Sequence, residues 1–291
     1  MPSAFAIAFA IQQLFQLPTA TWQPSLPKKA DVANQPIVVS KTKAVLLVHG
    51  LYLQILRPER AGRPEPQDWQ RSRAPLIKEL SPDFDVFSFA YAQTMPVDAV
   101  SLSAGLRDEV ARLKQAGYRE IILIGHSAGG VVSRQFVERF PNAGVTKVIQ
   151  VATPNDGSDY ATIKLGIPKL QLPYLQSLAP ESRQREIARP RKLPANVDFC
   201  CVVCKGGNRQ SDTIVSFSSQ WPEELQRQGV PAVLVPSYHN EAMKADAPVK
   251  AIGELAREKL ARWTREEVEQ GRKVLFEAQS SRGFGFGIIF R

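Results

Sequence analysis

Short apolar runs recur along this chain, separated by stretches in which apolar residues return every three or four positions. Residues 44–48 (AVLLV), 85–89 (DVFSF), 120–124 (EIILI), 147–151 (KVIQV), 197–203 (VDFCCVV) and 232–235 (AVLV) have the length and β-branched content of buried strands. Between them, Leu102, Leu106, Val110 and Leu113 mark the inner stripe of a helix that Gly117 ends. A second helix is predicted over 131–140, ended by Pro141, and Val249, Ile252, Ala256, Leu260 and Trp263 give a closing amphipathic helix. Strands this apolar must be covered on both faces. The pattern therefore predicts an α/β fold with a mostly parallel central sheet and helices on either side. In such a sheet, sites form at the carboxyl ends of the strands.

Two stretches interrupt the alternation. Residues 52–69 are rich in Pro and Arg and read as a loop. Residues 155–195 separate two strands by about forty positions, far beyond the usual connection of about 4–6. This stretch has an apolar part, LGIPKLQLPYLQSL, and a basic part, RQREIARPRK. It reads as a lid or cap insertion, with core-packing helices as the alternative; Pro168 and Pro173 break it into short pieces. Domain organisation follows: an amino-terminal segment over 1–40, a main domain over 41–265 carrying that insertion, and a tail over 266–291 whose role the pattern does not specify.

The chemistry-bearing motif is Gly125-His126-Ser127-Ala128-Gly129, a G-x-S-x-G placed between a predicted strand and a predicted helix. Glycines there let strand and helix approach closely, so the turn can be sharp and the Ser127 hydroxyl presented as a nucleophile. A serine hydroxyl needs a base, usually His held by a carboxylate. In this strand–turn–helix setting the acid and then the base follow the nucleophile along the chain. The histidines are His49, His126 and His239, and only His239 follows Ser127; it also follows a predicted strand. Among the acids between them, Asp198 stands at the entrance of its strand and Asp156 and Asp159 precede the insertion, while Asp212 follows a strand and a loop and can face His239. Glu223 and Glu224 are less well placed. His49-Gly50 ends an early strand, so the backbone N–H groups of Leu51 and Ala128 are the candidate oxyanion donors. His49 either serves that loop chemically or braces it, and His126 packs beside the turn.

These residues resemble the α/β-hydrolase superfamily, and within it the lipase-like branch of bacterial triacylglycerol lipases and lipid acyl hydrolases. The likeness rests on VLLVHG at 45–50, LIGHSAGG at 123–130, VATPNDGS at 151–158 and DTIVSFSS at 212–219. The third segment resembles the T-P-H-x-G-S of those lipases, with Asn155 where His is usual. The resemblance implies an α/β-hydrolase fold and a serine hydrolase that cleaves carboxylic esters through an acyl-enzyme, requiring no cofactor and no metal. Esterases, lipases, thioesterases and acyltransferases share these segments, and a non-catalytic binding protein on the same fold is a further alternative. Leu172 and Leu175, in the apolar part of the insertion, are the candidate substrate-binding residues for a small-molecule or lipid ester.

Charge and cysteine content modify this picture only at its edges. The net charge of +9 favours anionic partners, such as the surface of an acidic membrane, but the basic residues are spread along the chain and no nucleic-acid-binding signature accompanies them. Cys200, Cys201 and Cys204 crowd one strand. A C-x-x-C redox or zinc site lacks a second ligand pair, so buried free thiols are expected. Residues 1–27 carry no charged side chain and 4–11 are continuously apolar. A cytoplasmic protein is expected, or a secreted or periplasmic one if residues 1–20 are a signal peptide.

Overall fold

The computed structural model describes residues 22–24, 37–163, 166–188, 192–207 and 210–277. The signal-peptide question and the aromatic, glycine-containing end of the tail both fall outside these residues. One sheet has the order β1-β3-β2-β4-β5-β6-β7. Its strands are β1 Trp22–Pro24, β2 Lys43–Val48, β3 Asp85–Phe89, β4 Glu120–His126, β5 Lys147–Val151, β6 Asp198–Lys205 and β7 Ala232–Pro236. All are parallel except β1, which runs antiparallel along β3. The six strands expected from the apolar runs are all present, and all but β7, whose Leu234 and Pro236 reach the surface, are almost wholly buried.

Alternate residues of β2 to β7 feed two separate cores. On one face Leu46, Phe87, Leu123, Val148 and Cys201 pack with Val97, Leu106, Val110, Val132 and Phe136. These partners come from helices α2 (Val97–Ser101), α3 (Ala104–Gln115) and α4 (Ala128–Arg139). On the other face Leu47, Ile122, Ile124, Ile149 and Val202 pack with Leu76, Ile77, Ile252 and Leu255. Those belong to helix α1 (Pro75–Leu80) and helix α9 (Asp246–Arg257), the latter preceded in the chain by the short helices α7 (Phe217–Gln220) and α8 (Glu223–Arg227). Each fully buried Leu or Ile contributes about 1.5–3 kcal/mol of transfer free energy, so both faces are needed to hold the strands.

Three sequence expectations shift in detail. Leu102 is exposed and lies outside the helix whose stripe it shares, because Ser103 starts α3 afresh by accepting from the Leu106 N–H. The closing helix stops at Arg257, short of Leu260 and Trp263. There the Lys147 ammonium donates to the carbonyls of Leu255, Ala256 and Glu258, and Glu258 turns extended. The 52–69 stretch is a loop that contains two 3-10 turns, Pro58–Gly62 and Asp68–Gln70. Helix α10 (Arg265–Arg272) spans the junction of main domain and tail, and Leu275 just beyond it is buried in the α4-side core.

The 155–195 insertion consists of short pieces, as its prolines require: 3-10 turns Asp159–Thr162 and Lys169–Gln171, then α5 (Leu172–Gln176) and α6 (Pro180–Ile187). Tyr174, Leu175 and Leu178 join the α4-side core, whereas Ile163 and Leu170 are exposed. Among the described residues, no helix is long and apolar enough to cross a membrane.

Candidate active site

Chain order reverses around β2, which has β3 on one side and β4 on the other. That reversal opens a crevice at the carboxyl ends of β2 and β4. The register sets Val48 level with Gly125, so the residues leaving both strands meet. Ser127 follows β4 directly and begins α4, with φ 53° and ψ −128°. This left-handed conformation costs a non-glycine residue roughly 1–3 kcal/mol and persists only when neighbours enforce it. The Ser127 N–H donates to the Val151 carbonyl at 2.8 Å, and its carbonyl accepts from Gly130 N–H at 2.9 Å. The helix then presses against β2 so closely that a Cβ on Gly129 would lie 2.2 Å from the Val48 carbonyl oxygen.

Three side chains from three strand exits converge here. Ser127 Oγ lies 3.0 Å from His239 Nε2, and His239 Nδ1 lies 2.6 Å from Asp212 Oδ2. Asp212 is completely buried. Its other oxygen accepts from the Ile214 and Val215 N–H groups at 2.9 and 2.7 Å, and the His239 N–H donates to its backbone carbonyl at 3.0 Å. The turn that makes this possible holds Thr213 at φ 87°. With the carboxylate oriented, the Nδ1 proton belongs on the Asp212 side and Nε2 is free to accept from the Ser127 hydroxyl. That is the arrangement a serine needs to lose its proton as it attacks.

The other acids are engaged elsewhere. Asp198, at the far end of β6, accepts from the Leu260 N–H. Glu224 pairs with Arg134, and Glu223 with Arg227 on the surface. Asp156 is half-buried, and burial pushes its carboxyl up to about 6 against the opposing pull of Arg134.

Gly50 touches the turn from the other side: a Cβ there would stand 2.6 Å from Ser127 Cβ and 3.2 Å from Ala128 N. Gly50, which precedes Leu51, thus abuts the Ala128 amide, and neither the Leu51 nor the Ala128 N–H has a hydrogen-bond acceptor among the described residues. His49 is fully enclosed, stacks on Tyr91 at 4.2 Å, and has its pKa lowered to about 4 by burial. It is therefore neutral, with Nδ1 donating to the Gly50 carbonyl and Nε2 accepting from the Tyr91 N–H. That is the bracing role. His126 does more than pack: its Nε2 donates to the His239 carbonyl at 3.0 Å, and burial followed by the neighbouring His239 lowers its pKa to about 3. Asn155 forms a reciprocal amide pair with Gln150 and accepts from Arg134.

Against this geometry, the model of the "Alpha/beta hydrolase family" matches residues 45–278. The chain belongs to the alpha/beta hydrolase family. No curated protein matches it in sequence. Among solved structures, this alpha/beta hydrolase is similar in fold to the lipase BlEst2 of Bacillus licheniformis in its mature form (14% identity, TM-score 0.56, covering 81% of this chain and 94% of that one). It is also similar to a metagenomic carboxyl esterase, MGS0156 (15%, 0.52, covering 90% and 84%). A third is phospholipase PlaB from Legionella pneumophila (17%, 0.57, covering 86% and 67%).

Of the residues picked out from sequence, the structure brings the side chains of Ser127, Asp212 and His239 together and sets Gly50, the residue before Leu51, against Ser127 and Ala128. Leu172 is half-buried at the start of α5, and Leu175 is in the core. Sequence reasoning missed Gln67, Gln93 and Gln171, whose amides bind the loop after β2. Their spacing follows no motif. Gln67 lies in the stretch read as a loop, Gln93 just after a strand and Gln171 in the insertion, so no signal in the sequence draws them together.

Proposed function

We propose that this alpha/beta hydrolase cleaves carboxylic esters through an acyl-enzyme on Ser127. The observation that carries the reading is the unbroken relay from Asp212 through His239 to Ser127, at 2.6 and 3.0 Å, beside two backbone amides that have no acceptor among the described residues. Ser127 Oγ attacks the ester carbonyl while His239 Nε2 takes its proton, and Asp212 stabilises the imidazolium that forms. The negative charge on the former carbonyl oxygen is received by the Leu51 and Ala128 N–H groups and by the positive end of α4. Collapse expels the alcohol, protonated by His239. Water, deprotonated by the same imidazole, then releases the acid.

The alcohol or acyl part of the substrate is lipid-like on this reading. Tyr52, Ile55, Leu56, Ile163, Leu170 and Tyr238 are large, apolar and exposed, and all lie on segments that follow β2, β5 and β7 at the carboxyl edge. Arg57, Arg63 and Lys169 are exposed among them and suit an anionic lipid surface. Beside the loop after β2 lies a polar cleft of about 240 Å³, lined in part by Tyr52, Gln54, Arg63 and Gln93.

A fluorophosphonate probe and a panel of p-nitrophenyl esters of increasing chain length test the proposal. Wild-type protein should be labelled and should hydrolyse the panel, and Ser127→Ala should do neither while keeping its circular dichroism spectrum. Hydrolysis that survives in folded Ser127→Ala would falsify the serine mechanism.

A further inference from the structure

Three glutamine side chains gather around the segment that leaves β2. The Gly50 carbonyl accepts from Gln67 Nε2 at 2.9 Å, from Gln93 Nε2 at 3.0 Å and from His49 Nδ1 at 2.9 Å. Two residues on, the Tyr52 N–H donates to Gln93 Oε1 at 2.9 Å and the Tyr52 carbonyl accepts from Gln171 Nε2 at 2.9 Å. Gln171 Nε2 also donates to Gln93 Oε1 at 3.1 Å, and Gln171 Oε1 accepts from the Gln54 N–H at 2.8 Å. The Gln93 amide therefore straddles Leu51, its NH2 on the carbonyl before that residue and its oxygen on the N–H after it. The backbone partners settle which end is which, since a carbonyl only accepts and an N–H only donates.

What this clamp leaves over is the Leu51 N–H. The peptide between Gly50 and Leu51 is trans and planar, so fixing the direction of its C=O fixes the N–H in the opposite direction. Three donors hold the carbonyl toward the glutamine cluster, and the N–H accordingly points away from it. Gly50 has the Ser127 turn against its Cα, with Ser127 Cβ and Ala128 N both within 3.2 Å of where a Cβ would stand. Gln93 is 6% exposed and Gln171 is fully buried, so these amides cannot drift among solvent partners.

We propose that Gln93 is a positioning residue for the reaction: it aims the Leu51 N–H at the oxyanion, seconded by Gln67 and tied through Gln171 to the 155–195 insertion. The inference rests on the Ser127 acyl-enzyme reading. It makes the donor's direction a property of side chains from three separate loops. A clamp of this kind acts on the transition state, where charge appears on the oxygen, and leaves binding of the neutral ester nearly untouched.

The test uses the full chain, p-nitrophenyl butyrate as substrate, and a trifluoromethyl ketone with the same acyl chain. Ser127 adds to the ketone to give a tetrahedral oxyanion, whereas the product butyrate, used as a competing ligand, forms none. Gln93→Met keeps the side-chain length and removes every hydrogen bond. Gln93→Glu keeps the acceptor for Tyr52 and Gln171 but loses the donor to Gly50. In both, kcat should fall about 10- to 100-fold, below the ceiling of about 10²–10³ for removing an oxyanion donor outright. KM should move less than about threefold. Ketone affinity should weaken in step with kcat/KM, butyrate affinity should hold, and the pH midpoint of the acid limb should stay in place. Gln67→Met should show the same signature at smaller size. If Gln93→Met fails to fold, Gln93→Glu and Gln67→Met decide the matter. Unchanged ketone affinity, or a loss confined to KM or to thermal stability, overturns the positioning role. Ser127→Ala runs in parallel: activity surviving there sinks the serine mechanism itself, whereas an inert Ser127→Ala with Gln93 variants at full kcat sinks only this inference.

Discussion

Asp212 and Asp198 show how much a carboxylate's meaning depends on where its strand places it. Asp212 sits beyond the carboxyl end of β6 with two backbone donors on one oxygen and His239 on the other, and Asp198 opens the same strand and holds the Leu260 N–H. Under the proposed mechanism, Asp212→Asn should lower kcat about 10³- to 10⁴-fold by favouring the wrong imidazole tautomer. Asp198→Asn should change kcat less than about threefold. Steady-state assays on both variants, with folding checked by circular dichroism, separate these outcomes, and a more damaging Asp198→Asn would reassign the acid. These residues were legible because chain order and a supply of three histidines left few choices. Gln93 was not, since a side-chain amide bound to backbone groups leaves no spacing to read. Glu109 was equally silent. Burial pushes its carboxyl up to about 7, opposed by Arg112 and assisted by Asp108, and one of its oxygens is buried without a partner. A raised folded-state pKa means that the folded protein binds the proton more tightly than the unfolded chain. The associated stability is present in acid and is lost as pH rises through about 7. Glu109→Gln should therefore match wild type near pH 4 and exceed it by about 1–3 kcal/mol at pH 8 in urea unfolding. Equal stability at both pH values would show that the carboxyl is not strained by burial.

Elements were legible where one periodicity ran unbroken, and not where a tertiary contact cut across it. The apolar stripe from Val249 to Trp263 reads as one helix, but Lys147, on a strand more than a hundred residues earlier, gathers the last carbonyls and ends it at Arg257. The 155–195 insertion divides in the same way. Its prolines announced short pieces, and its composition could not say which apolar residues would turn inward. Tyr174 did, against Tyr91, and so did Leu175, while Leu172 stayed at the half-buried edge. The two leucines should thus behave differently. Leu175→Asp buries a charge in the core and should cost about 2–4 kcal/mol or abolish folding. Leu172→Asp should fold, keep its rate on acetyl esters, and lose the rise in kcat/KM with chain length expected of a lipid-like substrate. A folded Leu172→Asp with an unaltered chain-length profile would detach this residue from the acyl site.

At the scale of the molecule, strands buried on both faces could only mean a sheet with two layers of helices, which is why the architecture was readable before any side chain was placed. The strand order was not, because apolar runs look alike whichever neighbour they acquire. The meeting of β2 and β4 exits that creates the site is a product of that order. The cysteines carry a consequence of their own. Cys200, Cys201 and Cys204 lie on β6, hydrogen-bonded between β5 and β7, with Cys201 in one core and the other two in the opposite one. Burial raises the pKa of all three thiols, so they are doubly shielded from electrophiles. A soluble disulfide reagent such as Ellman's should consequently find nothing to react with until the middle of the sheet parts. Its colour should then appear at a rate set by how often the native molecule opens, steepening with urea as global unfolding does. Rapid reaction of even one thiol in native buffer would reveal a local breach at β6. Otherwise the strand is a built-in clock, read without any engineered label, for the rarest excursion the protein makes.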